Sequence, residues 1–284
     1  MCVPLVSVIV PCYNHSKFVE TCILSVINQT YKNIELIVID DGSTDNSFEV
    51  LTQLRKKYVF HLERQTNMGL CKTLNKAIKL LAKGDFIACL ASDDYWANEK
   101  IDRQIEVFIR QPELGFIFTK AMKFNTSGII SEIPIKKRIE CNFGELLLDD
   151  FVPALTVLAK RHVIIEMGGY DENLYFEDWD MWLKIANKYP FHFIPINLAF
   201  YRIHSTNMSS NYYKMIEAQK IVVDRWKGCD FYPKAHNNIV LYEIAINSVL
   251  NKKVGLMLML KHYRLILYFD YLKSIIRLIF KFHY

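Results

Sequence analysis

A chain of 284 residues, 51% of them apolar, can bury one large core or a core plus a smaller appended unit, which excludes a wholly disordered polymer. The net charge of +5 is local: residues 245–284 hold seven Lys/Arg and one acidic residue, so everything before them sums to −1. That leaves no basic stripe for nucleic acid within the main body. Seven scattered cysteines without Cys-x-x-Cys spacing suggest neither a disulfide framework nor a zinc site, and fit a cytoplasmic protein.

Val3 to Val10 runs directly into Pro11-Cys12-Tyr13-Asn14, which reads as a strand rather than an export signal. Val6 to Val10 and Ile34 to Ile39 are short apolar runs of buried-strand length. Between them Phe18, Cys22, Ile23, Val26 and Ile27 recur at helical spacing until Gln29-Thr30. Strand, helix, strand with apolar strands predicts a parallel βαβ unit. The alternation continues with a helix from Ser47 to Lys57, a strand at Val59 to Leu62, a helix from Lys72 to Leu81 and a strand from Phe86 to Ala91. Beyond Pro112 it weakens into an apolar stretch, Phe116 to Phe124, a basic loop at Lys136 to Arg138 and a helix near Phe143 to Asp149. Gly168-Gly169 marks a turn, Asp178 to Lys188 a helix, and Phe191 to Tyr201 an aromatic strand leading to His204. Helical periodicity dominates after Asn211, so the expected division is an α/β domain over 1–210 and a helical segment over 211–284.

Open α/β sheets bind ligands at the carboxyl ends of their strands. Pro11 to Asn14, Asp40 to Asp45 and Ser92 to Asp94 all fall at such ends and are expected to converge on one crevice. Asp41 can accept the imide N–H of a uracil, although caps and turns use the same residues. The adjacent carboxylates of Asp93 and Asp94 repel one another and call for a cation, Mg²⁺ or Mn²⁺, shared with substrate phosphates. Glu177, Asp178 and Asp180 open a helix, where carboxylates are favoured; a carboxylate fixed there suits general base work, for which Asp178 is a candidate and Glu177 and Asp180 are open on physical grounds alone. Trp179 or Trp182 can line a sugar pocket, with one of them in the core. His204 is a loop residue or a phosphate or metal contact, and Asn67-Met68-Gly69 a turn or a donor of backbone N–H groups.

Taken together, Val6 to Asn14, Ile37 to Asp45, Asn67 to Gly69 with Asn75, Ala91 to Asp94, Gly168 to Asp171, Glu177-Asp178 and Tyr201 to His204 resemble the family-2 glycosyltransferases, inverting enzymes of the GT-A fold. The resemblance implies a Rossmann-like, mostly parallel nucleotide-binding sheet followed by helices. It implies that Pro11, Tyr13, Asn14, Asn67 and Gly69 shape the nucleotide-sugar pocket, that Asp41 contacts the base and that Asp93 binds ribose and diphosphate. Asp94 and His204 are the implied metal ligands, for Mn²⁺ or Mg²⁺, and Asp178 the catalytic base. The implied donor is a nucleotide diphosphate sugar, most often UDP-linked, and the acceptor a glycan or lipid-linked hydroxyl. Processive members carry Gln-x-x-Arg-Trp; here Val222 precedes Arg225-Trp226, which favours transfer of a single sugar. Two rivals are a nucleotidyltransferase, which would show a Gly-rich basic loop after the first strand, and a noncatalytic nucleotide-sugar binder, which would not need Asp178.

Charges interrupt the apolar blocks of residues 254–284, so none reaches the ~20 residues of a bilayer span. Lys273, Arg277 and Lys281 beside apolar neighbours give two expectations: a helix packed on its own domain, or a peripheral helix on an anionic membrane at the inner face of the cell membrane.

Overall fold

The computed structural model describes residues 3–135, 141–205 and 207–279. The loop expected at Lys136 to Arg138 and the terminal Lys281 lie outside them. The chain divides into two compact units, one of residues 1–146 and 150–205 and one of residues 147–149 and 206–284.

The first unit is built on a nine-stranded sheet. In chain order its elements are β1 (Val6–Cys12), α1 (Val19–Ile27), β2 (Ile34–Asp40), α2 (Ser47–Arg55), β3 (His61–Arg64), α3 (Leu70–Lys76), β4 (Phe86–Cys89), β5 (Tyr95–Trp96), α4 (Lys100–Arg110), β6 (Phe116–Asn125), β7 (Gly128–Glu132), α5 (Phe143–Leu148), β8 (Leu158–Lys160), α6 (Arg161–Glu166), α7 (Asp178–Ala186) and β9 (Phe191–Arg202). The strand order is β3-β2-β1-β4-β8-β6-β9-β5, with β7 paired to β6. β1 pairs in parallel with β2 and β4, β2 with β3, and β6 with β9, whereas β8 joins the two halves antiparallel to both β4 and β6. Val6, Val8, Ile9 and Val10 of β1 are all fully buried, as a parallel strand covered on both faces requires.

Several expected boundaries shift, among them three. The third strand begins at His61, because Val59 is fully exposed in the connection after α2. The helix expected over Lys72 to Leu81 is α-helical only to Lys76 and continues as a π turn, Ala77–Leu81. The helix expected to reach Lys188 ends at Ala186. Gln29 does more than end α1: its buried amide donates to the Ser25 and Ala97 carbonyls at 3.0 and 2.8 Å and accepts from Ile101 N–H at 3.1 Å. It thereby ties α1 to the start of α4.

The second unit is helical: α8 (Tyr212–Asp224), α9 (Tyr232–Leu250), α10 (Lys252–Lys261) and α11 (Phe269–Ile279). Its core is small, formed by Val240, Leu241 and Ile244 of α9 with Met259, Leu265 and Tyr271. Lys220 Nζ pairs with Glu243 at 2.6 Å, joining α8 to α9. Among the described residues no helix is long and apolar enough to cross a membrane.

Candidate active site

Parallel β1, β2 and β4 end side by side, and the loops that leave them are braced to one another. Asn14 stands in the left-handed region at φ +57°, the only residue other than glycine there among those described. Its N–H donates to Ser43 Oγ at 3.0 Å, and its side-chain oxygen accepts from Thr44 N–H at 2.8 Å and Asp45 N–H at 3.4 Å. The next two N–H groups, of His15 and Ser16, donate to Ser47 Oγ and Asp45 Oδ2 at 2.9 and 3.0 Å. Against its partial burial, hydrogen bonds from the Ser47 hydroxyl, Ser16 and the Ser47 N–H hold the Asp45 carboxyl down at about 2.

Asp41 organises the next loop. Its Oδ1 accepts from Gln65 Nε2 at 2.8 Å and Met68 N–H at 2.9 Å, and its Oδ2 from Gly69 N–H at 2.9 Å. A carboxylate has about four acceptor sites, so one remains for a ligand. Gly42 sits against this loop so closely that a Cβ would lie 2.8 Å from Asn67 N. Tyr13 and Asn67 are exposed on the same loops, while Pro11 is half-buried.

At the end of β4, Asp93 and Asp94 are nearly buried, and they have different partners. Asp93 Oδ2 lies 2.9 Å from His204 Nε2, whereas its Oδ1 is 3.8 Å from His15 Nδ1 and, although buried, has no hydrogen-bond partner. His15 Nδ1 also meets Ser92 Oγ at 2.8 Å. Asp94 Oδ1 accepts the Arg202 N–H at 2.8 Å, and Arg202 Nε donates to the Asp93 carbonyl at 2.7 Å, which seats the end of β9 against the end of β4. The Arg202 guanidinium is held between the Phe18 and Phe124 rings, 4.5 and 4.4 Å from their centroids.

His15, Asp93 and His204 bring three candidate ligand atoms within 4.8 Å of one another. Of the expected Asp94 and His204, His204 belongs to this group, whereas Asp94 Oδ1 is bonded to the β9 backbone and the carboxylate in the group is that of Asp93. His15 was not expected at all. Its signal was position, a titratable side chain one residue beyond Tyr13-Asn14 at a strand end. Two imidazoles and a carboxylate fit a divalent first-row ion such as Mn²⁺, and the unpaired, buried Asp93 Oδ1 supplies the polar atom that such an ion would satisfy. Burial keeps the His15 ring below its ordinary pKa, leaving a neutral ring at pH 7. Burial and the Asp93 charge push the Asp94 carboxyl well above the usual carboxylate range.

Glu177 and Asp178 form a second carboxylate pair at the start of α7. Asn75 of α3 positions the approach to it: its Nδ2 donates to the Tyr170 carbonyl and its Oδ1 accepts Tyr170 N–H, both at 2.8 Å. Gly169, at φ +84°, must lack a side chain because a Cβ would lie 2.6 Å from Asn75 Oδ1. Glu177 lines a small cavity with Cys89, Val157, Ile164, Tyr170 and Trp182. Desolvation there, with the Asp178 charge second, raises Glu177 to about 8; Asp178 is raised too, chiefly by burial. Trp179 and Trp182 are both core residues: Trp179 Nε1 donates to the Leu146 carbonyl at 2.9 Å and the Trp182 ring packs on Phe116.

Residues 7–164 match the family model described as glycosyl transferase family 2. The Escherichia coli UDP-Glc:alpha-D-GlcNAc-diphosphoundecaprenol beta-1,3-glucosyltransferase WfaP is 31% identical over 254 residues, 87% of this chain and 94% of that protein. Among solved structures, mannosyltransferase PcManGT from Pyrobaculum calidifontis, in complex with GDP-Man and Mn²⁺, superposes with a TM-score of 0.66 at 16% identity, covering 97% of this chain and 85% of that one. S. aureus TarS 1–349 in complex with UDP-GlcNAc gives a TM-score of 0.66 at 21% identity over 95% and 79% of the two chains. The fold is accordingly the mixed α/β GT-A fold, with a helical C-terminal region. With more than half its length inside the family model, this chain belongs to glycosyl transferase family 2.

Proposed function

We propose that the chain transfers one sugar, with inversion, from a UDP-sugar to a hydroxyl of a lipid-linked diphosphate glycan in cell-surface polysaccharide synthesis. It does so as a peripheral enzyme at the inner face of the membrane. The relative WfaP is named for a UDP-Glc donor and a GlcNAc-diphosphoundecaprenol acceptor, and TarS was solved with UDP-GlcNAc. The observation that carries the reading is the braced cluster of His15, Asp93 and His204 with its unpaired, buried Asp93 Oδ1. We take residues 1–210 as the transferase domain and 211–284 as an appended helical segment.

In this reading Pro11, Tyr13 and Asn14 line the donor pocket and Asp41 offers its remaining acceptor site to the base, flanked by Asn67 and Gly69. Asp93, His204 and His15 hold the cation, and Asp94 keeps the β9 end in register for His204. A divalent ion bound there supplies neutralisation of the departing diphosphate. Asp178 removes the proton from the acceptor hydroxyl as that oxygen forms its bond to the anomeric carbon and the bond to the nucleoside diphosphate breaks. Glu177 supports this role by retaining its own proton at neutral pH, which leaves Asp178 as the ionised member of the pair.

The test is a thermal-shift screen of nucleotides and nucleotide sugars with and without Mn²⁺, since a ligand of the folded state alone raises its stability. UDP and a UDP-sugar are expected to raise Tm with Mn²⁺ present; a protein that responds to no nucleotide under any metal would sink the reading.

A further inference from the structure

We propose that α10, α11 and the turn between them form a surface that inserts shallowly into an anionic lipid bilayer, an inference that rests on the lipid-linked acceptor proposed above. Both helices already have a packed face. Met259, Leu265 and Tyr271, with Ile275 and Leu278 beside them, close over Val240, Leu241 and Ile244. Gly255 comes so near α9 that a Cβ would lie 2.9 Å from the Asn247 carbonyl carbon. Packing on the unit's own core therefore explains one stripe of apolar residues.

It does not explain the other. Phe269, Leu272, Ile276 and Ile279 recur at steps of three and four along α11, offset from the packed Tyr271, Ile275 and Leu278, and all four are exposed. Leu267 in the preceding turn is 91% exposed and Phe269 69%. Met257 and Leu260 on α10 are exposed as well. Soluble surfaces carry such residues singly; a run of them over two helices and a turn marks a contact.

Charge identifies the occupant. Residues 252–277 contain six cations, among them Lys253, Lys261, Arg264 and Lys273, against Asp270 alone. Lys273 Nζ lies 4.3 Å from the Phe269 ring centroid, so a cation stands directly beside an exposed apolar tip. Two copies joined through this stripe would set like charges against each other. An anionic bilayer accepts both features, the apolar tips below the headgroups and the cations among them on their aliphatic stems. With no membrane-crossing helix among the described residues, the contact is peripheral.

The experiment is co-sedimentation of the full chain with vesicles of phosphatidylcholine alone or mixed with phosphatidylglycerol. The protein is expected to bind the mixed vesicles at least ~10-fold more tightly, and to be released by salt. The triple variant Leu267→Ser, Phe269→Ser, Ile276→Ser, confined to exposed positions, should lose ~10-fold or more on both vesicle types. Lys261→Glu with Lys273→Glu should lose mainly the preference for the anionic mixture. A wild type left in the supernatant, or a triple variant that sediments like wild type, overturns the proposal. So does a wild-type dimer that the triple variant dissociates, since the face would then be a self-contact. The UDP and Mn²⁺ thermal shift should be unchanged in the triple variant. If wild type shows no such shift yet sediments, the transferase reading fails while the surface stands.

Discussion

Among the pairs of adjacent carboxylates in this fold, the one at the end of β4 and the one at the start of α7 have surroundings that differ in kind. Asp93 and Asp94, at the end of β4, are met by imidazoles and by the backbone of Arg202, with one buried oxygen of Asp93 unpaired. At the start of α7, Glu177 lines an apolar cavity, and burial with the neighbouring Asp178 charge raises its carboxyl. Burial alone disfavours a second negative charge in either place. Each pair has a member whose carboxyl is pushed up by burial, Asp94 in the first and Glu177 in the second, and the first pair also gathers two imidazoles. In the function proposed above, two carboxylate pairs of similar composition take opposite tasks, one to receive a cation and the other to exchange a proton.

The comparison is most directly broken at Asp178. Asp178→Asn should lower transfer by roughly 10²–10⁴-fold, the usual worth of a general base, and leave the UDP thermal shift intact. Near-normal turnover would remove the base from α7. Next in size, Asp93→Asn should weaken Mn²⁺ affinity, read by the electron paramagnetic resonance signal of the free ion, by ~100-fold or more, and His15→Ala by ~10-fold. If Asp94→Asn alone weakens Mn²⁺, the cation belongs to the other carboxylate. A smaller effect is expected of Asn75→Ala, which strands the Tyr170 N–H and carbonyl and should cost about 1–3 kcal/mol in a urea melt.

The smallest effect is the most diagnostic of the second pair. Because Glu177 is raised in the folded protein from 4.5 to about 8, the folded state holds a proton that the unfolded chain has already released in that window. Stability contributed at this position is therefore fully present below about pH 4.5 and declines as pH rises towards about 8. Glu177→Gln should flatten that decline, seen as urea midpoints at several pH values; identical slopes in the two proteins would show Glu177 to be ionised.

Much of this was legible in the residues because strand-end chemistry is local. Apolar β1, β2 and β4 announce themselves by length, and the polar residues that interrupt them mark the crevice. The second half of the sheet was harder. β8 has three residues, β5 two, and their pairing is decided by distant partners such as Phe116 and Phe200 rather than by any period. The buried Lys100, which donates to Gln104 at 2.8 Å and lies over the Trp96 ring, reads in sequence as an exposed helical lysine. Which of Asp93 and Asp94 meets the imidazoles was illegible for another reason: it depends on which carboxylate the Arg202 backbone captures, a contact across 108 residues.

The Asn14 brace has a consequence for energetics. With that residue already in its left-handed turn and its side chain closing Thr44 and Asp45, the wall of the crevice is ordered before any nucleotide arrives. In the function proposed above, little chain freedom is left to be quenched on this side when the donor docks. Calorimetry of donor association should then show a heat-capacity change set by the ligand's own apolar area, without the larger decrement that a folding loop would add.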